Sequence, residues 1–182
     1  MNLIRIFADE NSFDGLWAIH LPNKVQNEFD QFFDLMNDPE WLYNFFTENA
    51  GDLSSGFFGH MTINEAVLKT MEEVGELEDM LYDYTEKGFY DARDSLQVIF
   101  KPLNNFEYAI TTHQKSKTRL RRGWLRMYAL RLTNNCYIIT GGAIKLTPDM
   151  KRKHLEMELK KLELAKSFLR ENGIDYPENL NG

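Results

Sequence analysis

The alternation of apolar and polar positions is clearest between residues 119 and 147, where it predicts a β-hairpin. In residues 124–132 alternate side chains face opposite sides of an extended chain, and residues 136–140 return as a second strand. The intervening Thr133-Asn134-Asn135 is typical of a turn, because asparagine tolerates left-handed backbone conformations. Gly141-Gly142 can kink the second strand or let another backbone approach closely before the strand continues to Thr147.

Apolar residues at helical spacing predict four helices. The first is expected at about 24–36, and the second starts after Asp38, a suitable N-cap, with Pro39 at its first position. The third and clearest follows the capping-box pattern of residues 62–65 and carries its apolar stripe to residue 84. The fourth is a long C-terminal helix, expected to start with Thr147 as N-cap and Pro148 at N1 and to end at residues 172–173.

The first sixty residues hold nine of the 13 phenylalanines, and they favour a buried core over a nucleic-acid surface. Their spacing matches the buried stripes of the predicted helices rather than a base-stacking platform. Short strands are expected at 3–8 and 16–21, before these helices.

Between the third helix and the hairpin, the pattern predicts strands at 95–103 and 106–112, followed by a basic polar loop at 113–122. Pro102 places the first of these strands at a sheet edge or at a strand end. With no repeat or linker, the chain is expected to form one domain: strands and acidic, aromatic-rich helices in 1–94, a core antiparallel sheet in 95–147 and a C-terminal helix in 148–173.

Composition indicates a globular chain that needs no disulfide. The 182 residues are 43% hydrophobic and 13% aromatic, which is enough for a substantial core. The single cysteine, Cys136, excludes an internal disulfide, and its apolar surroundings favour a buried thiol over a nucleophile. No basic leader and no apolar run of about 18 residues is present, so we expect a soluble, cytoplasmic protein with no membrane partner.

The net charge of −7 is unevenly distributed along the chain. Residues 1–100 carry 20 acidic and 5 basic side chains, whereas residues 101–131 carry 8 basic and 1 acidic. A basic stretch of this density is a footprint for phosphate or for an acidic partner. The equally weighted alternative is that it faces the acidic helices of the same chain.

Standard catalytic motifs are absent: there is no phosphate-binding loop, dinucleotide-binding glycine pattern, CxxC, HExxH or GxSxG. Glu72, Glu73 and Glu76 share a helix face and suggest a carboxylate metal site, but no histidine lies one turn away, so a solvated acidic face is favoured. The scattered histidines show no metal-ligand spacing. We therefore expect no metal and no cofactor.

The candidate chemistry lies in the cations around the hairpin, which are Lys101, Lys115, Lys117, Arg119, Arg121, Arg122, Arg126, Arg131 and Lys145. Such a cluster could hold a phosphodiester and stabilise the charge that develops during its cleavage without a metal. Tyr128, on the same predicted strand face as Arg126, or His113 could transfer protons. In the alternative interpretation, Arg126 and Arg131 pair with helix carboxylates and the loop cations are solvated.

Three local patterns resemble the RelE/HigB toxin superfamily, the small RNA-cleaving partners of bacterial toxin–antitoxin pairs. Residues 100–103 (FKPL) resemble the strand before the basic loop, and residues 122–128 (RGWLRMY) resemble the family's run of Gly, aromatic, Arg, two apolar residues and Tyr. Residues 138–148 (IITGGAIKLTP) are similar to the HigB-type strand that ends in Lys-Lys-Thr, where Lys145 and Thr147 match and Leu146 replaces the second lysine. The resemblance covers about residues 95–170.

The resemblance implies an α+β fold, with a curved antiparallel β-sheet packed against helices and, in this chain, added N-terminal helices. It implies a metal-independent endoribonuclease of the mRNA interferase type, often acting on the ribosome, with an antitoxin protein and RNA or the ribosome as partners. Carried over by position, the catalytic residues are Arg126 and Lys145, followed by Arg122 and Tyr128. The RNA-binding set is Lys101, His113, Lys115, Lys117, Arg119 and Arg121.

The chain also departs from the family, whose members are much shorter and strongly basic. The alternative function is a non-catalytic protein-interaction domain that retains the toxin-like fold.

Overall fold

The computed structural model describes residues 1–104, 109–118 and 120–181. Within these ranges the strands are β1 (Asn2–Ala8), β2 (Gly15–His20), β3 (Phe100–Pro102), β4 (Gln114–Thr118), β5 (Leu125–Arg131) and β6 (Tyr137–Ile144). The helices are α1 (Glu28–Met36), α2 (Pro39–Glu48), α3 (Ala50–Leu53), α4 (Ile63–Gly88) and α5 (Lys153–Glu171), with short 3₁₀ turns at Leu96–Val98 and Pro177–Asn181. The α+β class expected from the sequence is confirmed.

The strands form one open sheet in the order β1-β2-β6-β5-β4-β3. All neighbouring pairs are antiparallel except β2 and β6, which run parallel, so the sheet is mixed and the expectation of an antiparallel sheet is wrong at this ladder. Parallel neighbours require a long crossover, and here the chain passes through its helices before β6 returns beside β2. Pro102 lies in β3 at the sheet edge, where a missing backbone donor is tolerated.

Alternating residues of the central strands divide the core into two layers. Leu16 and Ala18 of β2 pack with the apolar stripes of α1, α2 and α4, whereas Trp17 and Ile19 face the opposite side of the sheet. That opposite side is covered by α5, whose buried residues are Leu155, Leu162, Ala165 and Leu169. The N-terminal helices and α5 therefore cover opposite faces of the sheet, and α1 and α5 meet beside β6, where Lys161 contacts Glu28.

Side-chain caps explain where the first helices begin. Asn27 accepts from the backbone N–H groups of Phe29 and Asp30, each at 3.0 Å, so α1 begins at residue 28 rather than near 24. The capping box between Thr62 and Glu65 opens α4 as predicted.

The start predicted for the C-terminal helix is wrong. Thr147 is not an N-cap: its hydroxyl donates to the carbonyl of Asp149 at 3.2 Å, and Lys145 Nζ donates to the carbonyls of Thr147 (2.6 Å) and Pro148 (2.8 Å). These contacts hold the segment outside a helix, and α5 begins only after Arg152.

The segment before β5 also differs from its prediction. Residues 114–118 form β4 rather than a loop. The apolar pattern missed this strand because its buried positions carry polar Gln114, Ser116 and Thr118 instead of apolar residues. Of the predicted strand at 106–112, residues 105–108 lie outside the described part of the chain, and residues 109–112 form no strand. None of the described helices combines the length and apolar character needed to cross a bilayer.

Candidate functional site

A cavity of about 270 Å³ brings four of the predicted cations together. It is formed by the loop after α3, the β4–β5 connection and the segment after β6. Its lining consists of Phe57, Phe58, Lys117, Leu120, Arg122, Gly123, Arg126, Lys145, Thr147 and Pro148. Among the described residues, no aspartate or glutamate lines it. We call it the cationic cavity.

Strand register places two strand cations and Lys145, which directly follows β6, on the same side of the sheet. Lys117 of β4 pairs directly with Tyr128, which lies two residues after Arg126 on β5. Arg126 pairs with Ala143 of β6, and Lys145 follows two residues later. Because side chains two residues apart share a face of a strand, these cations project toward the same side.

Backbone carbonyls hold the cationic side chains in place. Arg126 Nη1 donates to the carbonyls of Gly123 (3.0 Å) and Leu125 (2.6 Å), and Lys117 Nζ donates to that of Leu103 at 2.9 Å. These hydrogen bonds orient the cationic side chains along the cavity wall. Four cations in the described lining make the cavity suited to an anion.

Glu73 of α4 fixes the start of β5 beside this cavity. Its two carboxylate oxygens accept from the backbone N–H groups of Trp124 (3.2 Å) and Leu125 (2.7 Å), and burial raises its pKa. A Cβ at Gly123 would stand 2.1 Å from Glu73 Oε1, so the glycine permits this approach. The expectation that Glu73 belongs to a solvated acidic face is wrong.

The acidic helix does not line the cationic cavity, although the charge of Glu73 acts on Arg126. No described α4 residue lines the cavity; Lys69, Glu72, Glu73 and Glu76 instead border a separate cleft with Arg121. Within the described chain, no group of three or more His, Cys, Asp or Glu residues could hold a metal ion.

The loop after α3 supplies aromatic side chains to the cavity. Phe58 packs against Trp124 with ring centroids 5.4 Å apart, whereas Phe57 beside it is 59% exposed. Asp52 at the end of α3 forms two 2.7 Å hydrogen bonds with Arg152, which lowers the Asp52 pKa and ties this region to the start of α5. Sequence spacing assigned the N-terminal phenylalanines to the core and therefore missed Phe57.

Tyr128 shares a sheet face with Arg126 but does not line the cationic cavity. Its side chain is fully buried in the layer beneath α5, and its hydroxyl contacts the sulfur of Met150 at 3.6 Å. Burial raises the Tyr128 pKa well above its usual range. A buried phenol of this kind cannot reach a phosphodiester in the cavity.

The remaining predicted residues are dispersed. His113 is buried against the carbonyl of Ile174 at 2.7 Å, and Lys115 forms an ion pair with Glu163 of α5. Lys101 is exposed on the edge strand and donates to the carbonyl of Gln97. Arg119 lies outside the described residues.

No protein-family model, curated protein or solved structure gives a significant match to this chain.

Proposed function

We propose that the protein is a divergent RelE/HigB-like toxin component that binds single-stranded RNA in the cationic cavity and cleaves it without a metal. The observation that carries this proposal is the convergence of Lys117, Arg122, Arg126 and Lys145 on one cavity. These residues are separated in sequence by up to 28 positions and are brought together by the sheet. The resemblance in residues 122–128 and 138–148 supplies the expectation of RNA cleavage.

The lining matches the chemistry of phosphodiester cleavage. In this reaction the ribose 2′-oxygen attacks the adjacent phosphorus as its proton passes to water, and the bond to O5′ breaks as O5′ takes a proton from water, giving a 2′,3′-cyclic phosphate and a 5′-hydroxyl. Negative charge accumulates on the non-bridging oxygens during the attack. A guanidinium such as that of Arg126 can donate two hydrogen bonds to those oxygens, and the lysine ammonium groups add positive charge nearby. Arg126 and Lys145 are the residues to which we assign this stabilising role.

Phe57 supports a single-stranded substrate. An exposed aromatic ring beside a cluster of cations is the arrangement by which proteins stack an unpaired base while holding its phosphate. A paired base could not present its face to this ring. The proposed substrate is therefore a loop or an unpaired stretch of RNA.

A second function, RNA binding without cleavage, is favoured by one observation. The side chains expected to transfer protons, Tyr128 and His113, are both buried, and neither lines the cavity. If the chain does cleave RNA, the rate acceleration would come from charge stabilisation and positioning by the cavity cations, without proton transfer by these two side chains. The same cavity would still hold RNA if the chain were a non-catalytic interaction protein.

Controlled expression in bacteria tests the proposal. We expect growth arrest and new RNA 5′ ends with the wild-type chain, and loss of both with Arg126→Ala. Arg93→Ala is the matched control, because Arg93 is 91% exposed and bonds only to Asp91 among the contacts described. Arrest by the control but not by Arg126→Ala supports the proposal.

RNA crosslinking separates the remaining outcomes. Crosslinks that depend on Arg126, without new RNA ends, would support RNA binding without cleavage and contradict the proposed cleavage. Unaffected growth, intact RNA and no crosslinks would contradict both functions.

A further inference from the structure

A second cavity, of about 190 Å³, lies on a different part of the molecule, between α1, α2, β6 and α5. Its walls are mainly apolar and include Phe32, Leu35, Met36, Trp41, Phe45 and Met157. The rings of Trp41 and Phe45 stack with centroids 5.5 Å apart. These walls suit an apolar group smaller than most drug-sized ligands.

One corner of this cavity carries a charged triad. Lys161 Nζ lies 2.5 Å from Glu28 Oε2 and 2.8 Å from Glu158 Oε1. Glu28 and Glu158 are only 5% and 7% exposed. With both carboxylates ionised, the triad carries one excess negative charge in a largely apolar setting.

The triad also has an unused acceptor. Within the described part of the chain, Glu158 Oε2 is buried and has no hydrogen-bond partner. A buried carboxylate oxygen without a donor is costly, so this atom favours a ligand that brings one.

Gly141 is required for this arrangement. A Cβ at Gly141 would stand 2.1 Å from Glu158 Oε2 and 2.2 Å from Lys161 Nζ, and the backbone there has a φ of +149°. Both the close approach and the backbone conformation require glycine. The first glycine of the pair thus lets the triad lie directly against β6.

His154 adds a further acceptor to the lining. Its Nε2 lies 2.9 Å from the carbonyl of Ile144, and a carbonyl can only accept, so Nε2 carries a proton. In the neutral ring, Nδ1 is then an acceptor. The polar lining is therefore rich in acceptors and has a negative balance.

We propose that this cavity binds a small organic monocation, an amine with an apolar body. The ammonium group would donate to the unpartnered oxygen of Glu158 and balance the triad, while the body packs against Trp41, Phe45 and Met157. An anion would meet the excess negative charge, and a neutral molecule would leave that charge unbalanced. This site does not depend on the proposed RNA activity.

Three probes of similar size and different charge test the proposal: phenethylamine, 2-phenylethanol and 3-phenylpropanoate. Binding is followed by NMR of ¹³C-labelled methionine methyl groups, because Met36 and Met157 line the cavity. We expect phenethylamine to shift these two signals, to leave Met71 on α4 unchanged, and to bind at least tenfold more tightly than either other probe. No shift at millimolar phenethylamine, or equal binding of the anion, would overturn the proposal.

Glu158→Gln provides the matched variant, with Glu156→Gln on the exposed side of the same helix as its control. We expect the first to weaken phenethylamine binding at least tenfold and the second to change it less than twofold. Retained affinity in Glu158→Gln would contradict the assignment. A thermal melt of each variant verifies that it is folded.

The pH dependence supplies an independent readout. Burial raises the pKa of Glu158 to about 7, and the charged or titratable groups around it are Glu28 on α1, Lys161 and His154 on α5, and Tyr128 on β5. Phenethylamine affinity should rise from pH 6 to pH 8 as Glu158 loses its proton, and Glu158→Gln should abolish this rise. A wild-type affinity that is flat over this range would contradict the role of Glu158.

Discussion

Replacement of Glu158 by glutamine should make the protein more resistant to unfolding at alkaline pH. Desolvation raises the pKa of this carboxyl from 4.5 to about 7, so the folded state favours the protonated form. The contribution of this shift to the free energy of unfolding is fully present below pH 4.5, and it is lost as the pH rises through 7. At pH 8 the wild-type protein therefore carries a costly buried carboxylate that glutamine lacks.

The size of the Glu158 pKa shift determines how much the stabilities of the wild type and Glu158→Gln differ with pH. One pKa unit corresponds to about 1.4 kcal/mol, so integration between pH 5 and pH 8 gives about 2–3 kcal/mol. Glutamine retains an oxygen that can accept from Lys161, and Lys161 keeps Glu28 as a partner. The variant should match the wild type within about 1 kcal/mol at pH 5 and exceed it by about 2–3 kcal/mol at pH 8.

Urea unfolding at pH 5, 6, 7 and 8 measures these free energies directly. Exposed Glu156→Gln, on the same helix, should follow the wild-type curve within about 1 kcal/mol throughout. A difference in the free energy of unfolding between Glu158→Gln and wild type that stays constant from pH 5 to pH 8 would refute the reasoning. So would a clear loss of stability in the variant at pH 8.

Three further outcomes follow from the described contacts. Glu73→Ala should lower the free energy of unfolding by about 2–5 kcal/mol, because it leaves two buried backbone N–H groups without acceptors. The control Glu72→Ala, at an exposed position, should change it by less than about 0.5 kcal/mol. Equal urea unfolding curves for the two variants would contradict this prediction. Tyr128→Phe should leave RNA binding and cleavage within about twofold of wild type, because the hydroxyl makes only a weak contact to the Met150 sulfur. A tenfold loss of activity in a cleavage assay would instead show that the Tyr128 hydroxyl takes part in cleavage. Burial raises the pKa of the Cys136 thiol well above its usual range, so a thiol reagent at pH 8 should label it only after unfolding in urea, and rapid labelling of the native protein would be inconsistent with this burial.

The sequence predicted elements well where periodicity and capping agreed. The hairpin of β5 and β6, the capped α4 and the edge position of Pro102 are all present. β4 was missed because its buried positions are polar: Thr118, for example, accepts from the backbone N–H of Met127 at 2.9 Å. Periodicity of apolar residues carries no signal for such a strand.

The candidate site was predictable as a charge cluster but not as a geometry. The basic stretch contains Lys117, Arg122 and Arg126, yet only strand register shows that Lys145 joins them while Lys115 pairs with Glu163. The second cavity depends on contacts between α1 and α5 that are 133 positions apart in the chain. Local patterns cannot reveal a triad assembled over that distance.

Binding of single-stranded RNA as a function of salt tests the central claim, that the cationic cavity holds phosphodiesters. Fluorescence anisotropy with a labelled unstructured RNA should give a slope of log affinity against log salt of about −2 to −3 if the four cations neutralise three or four phosphates. Arg126→Ala and Lys145→Ala should each reduce the magnitude of that slope by about 0.7 and weaken binding, whereas Arg93→Ala should do neither. Affinity and slope that are the same in all four proteins would contradict the account.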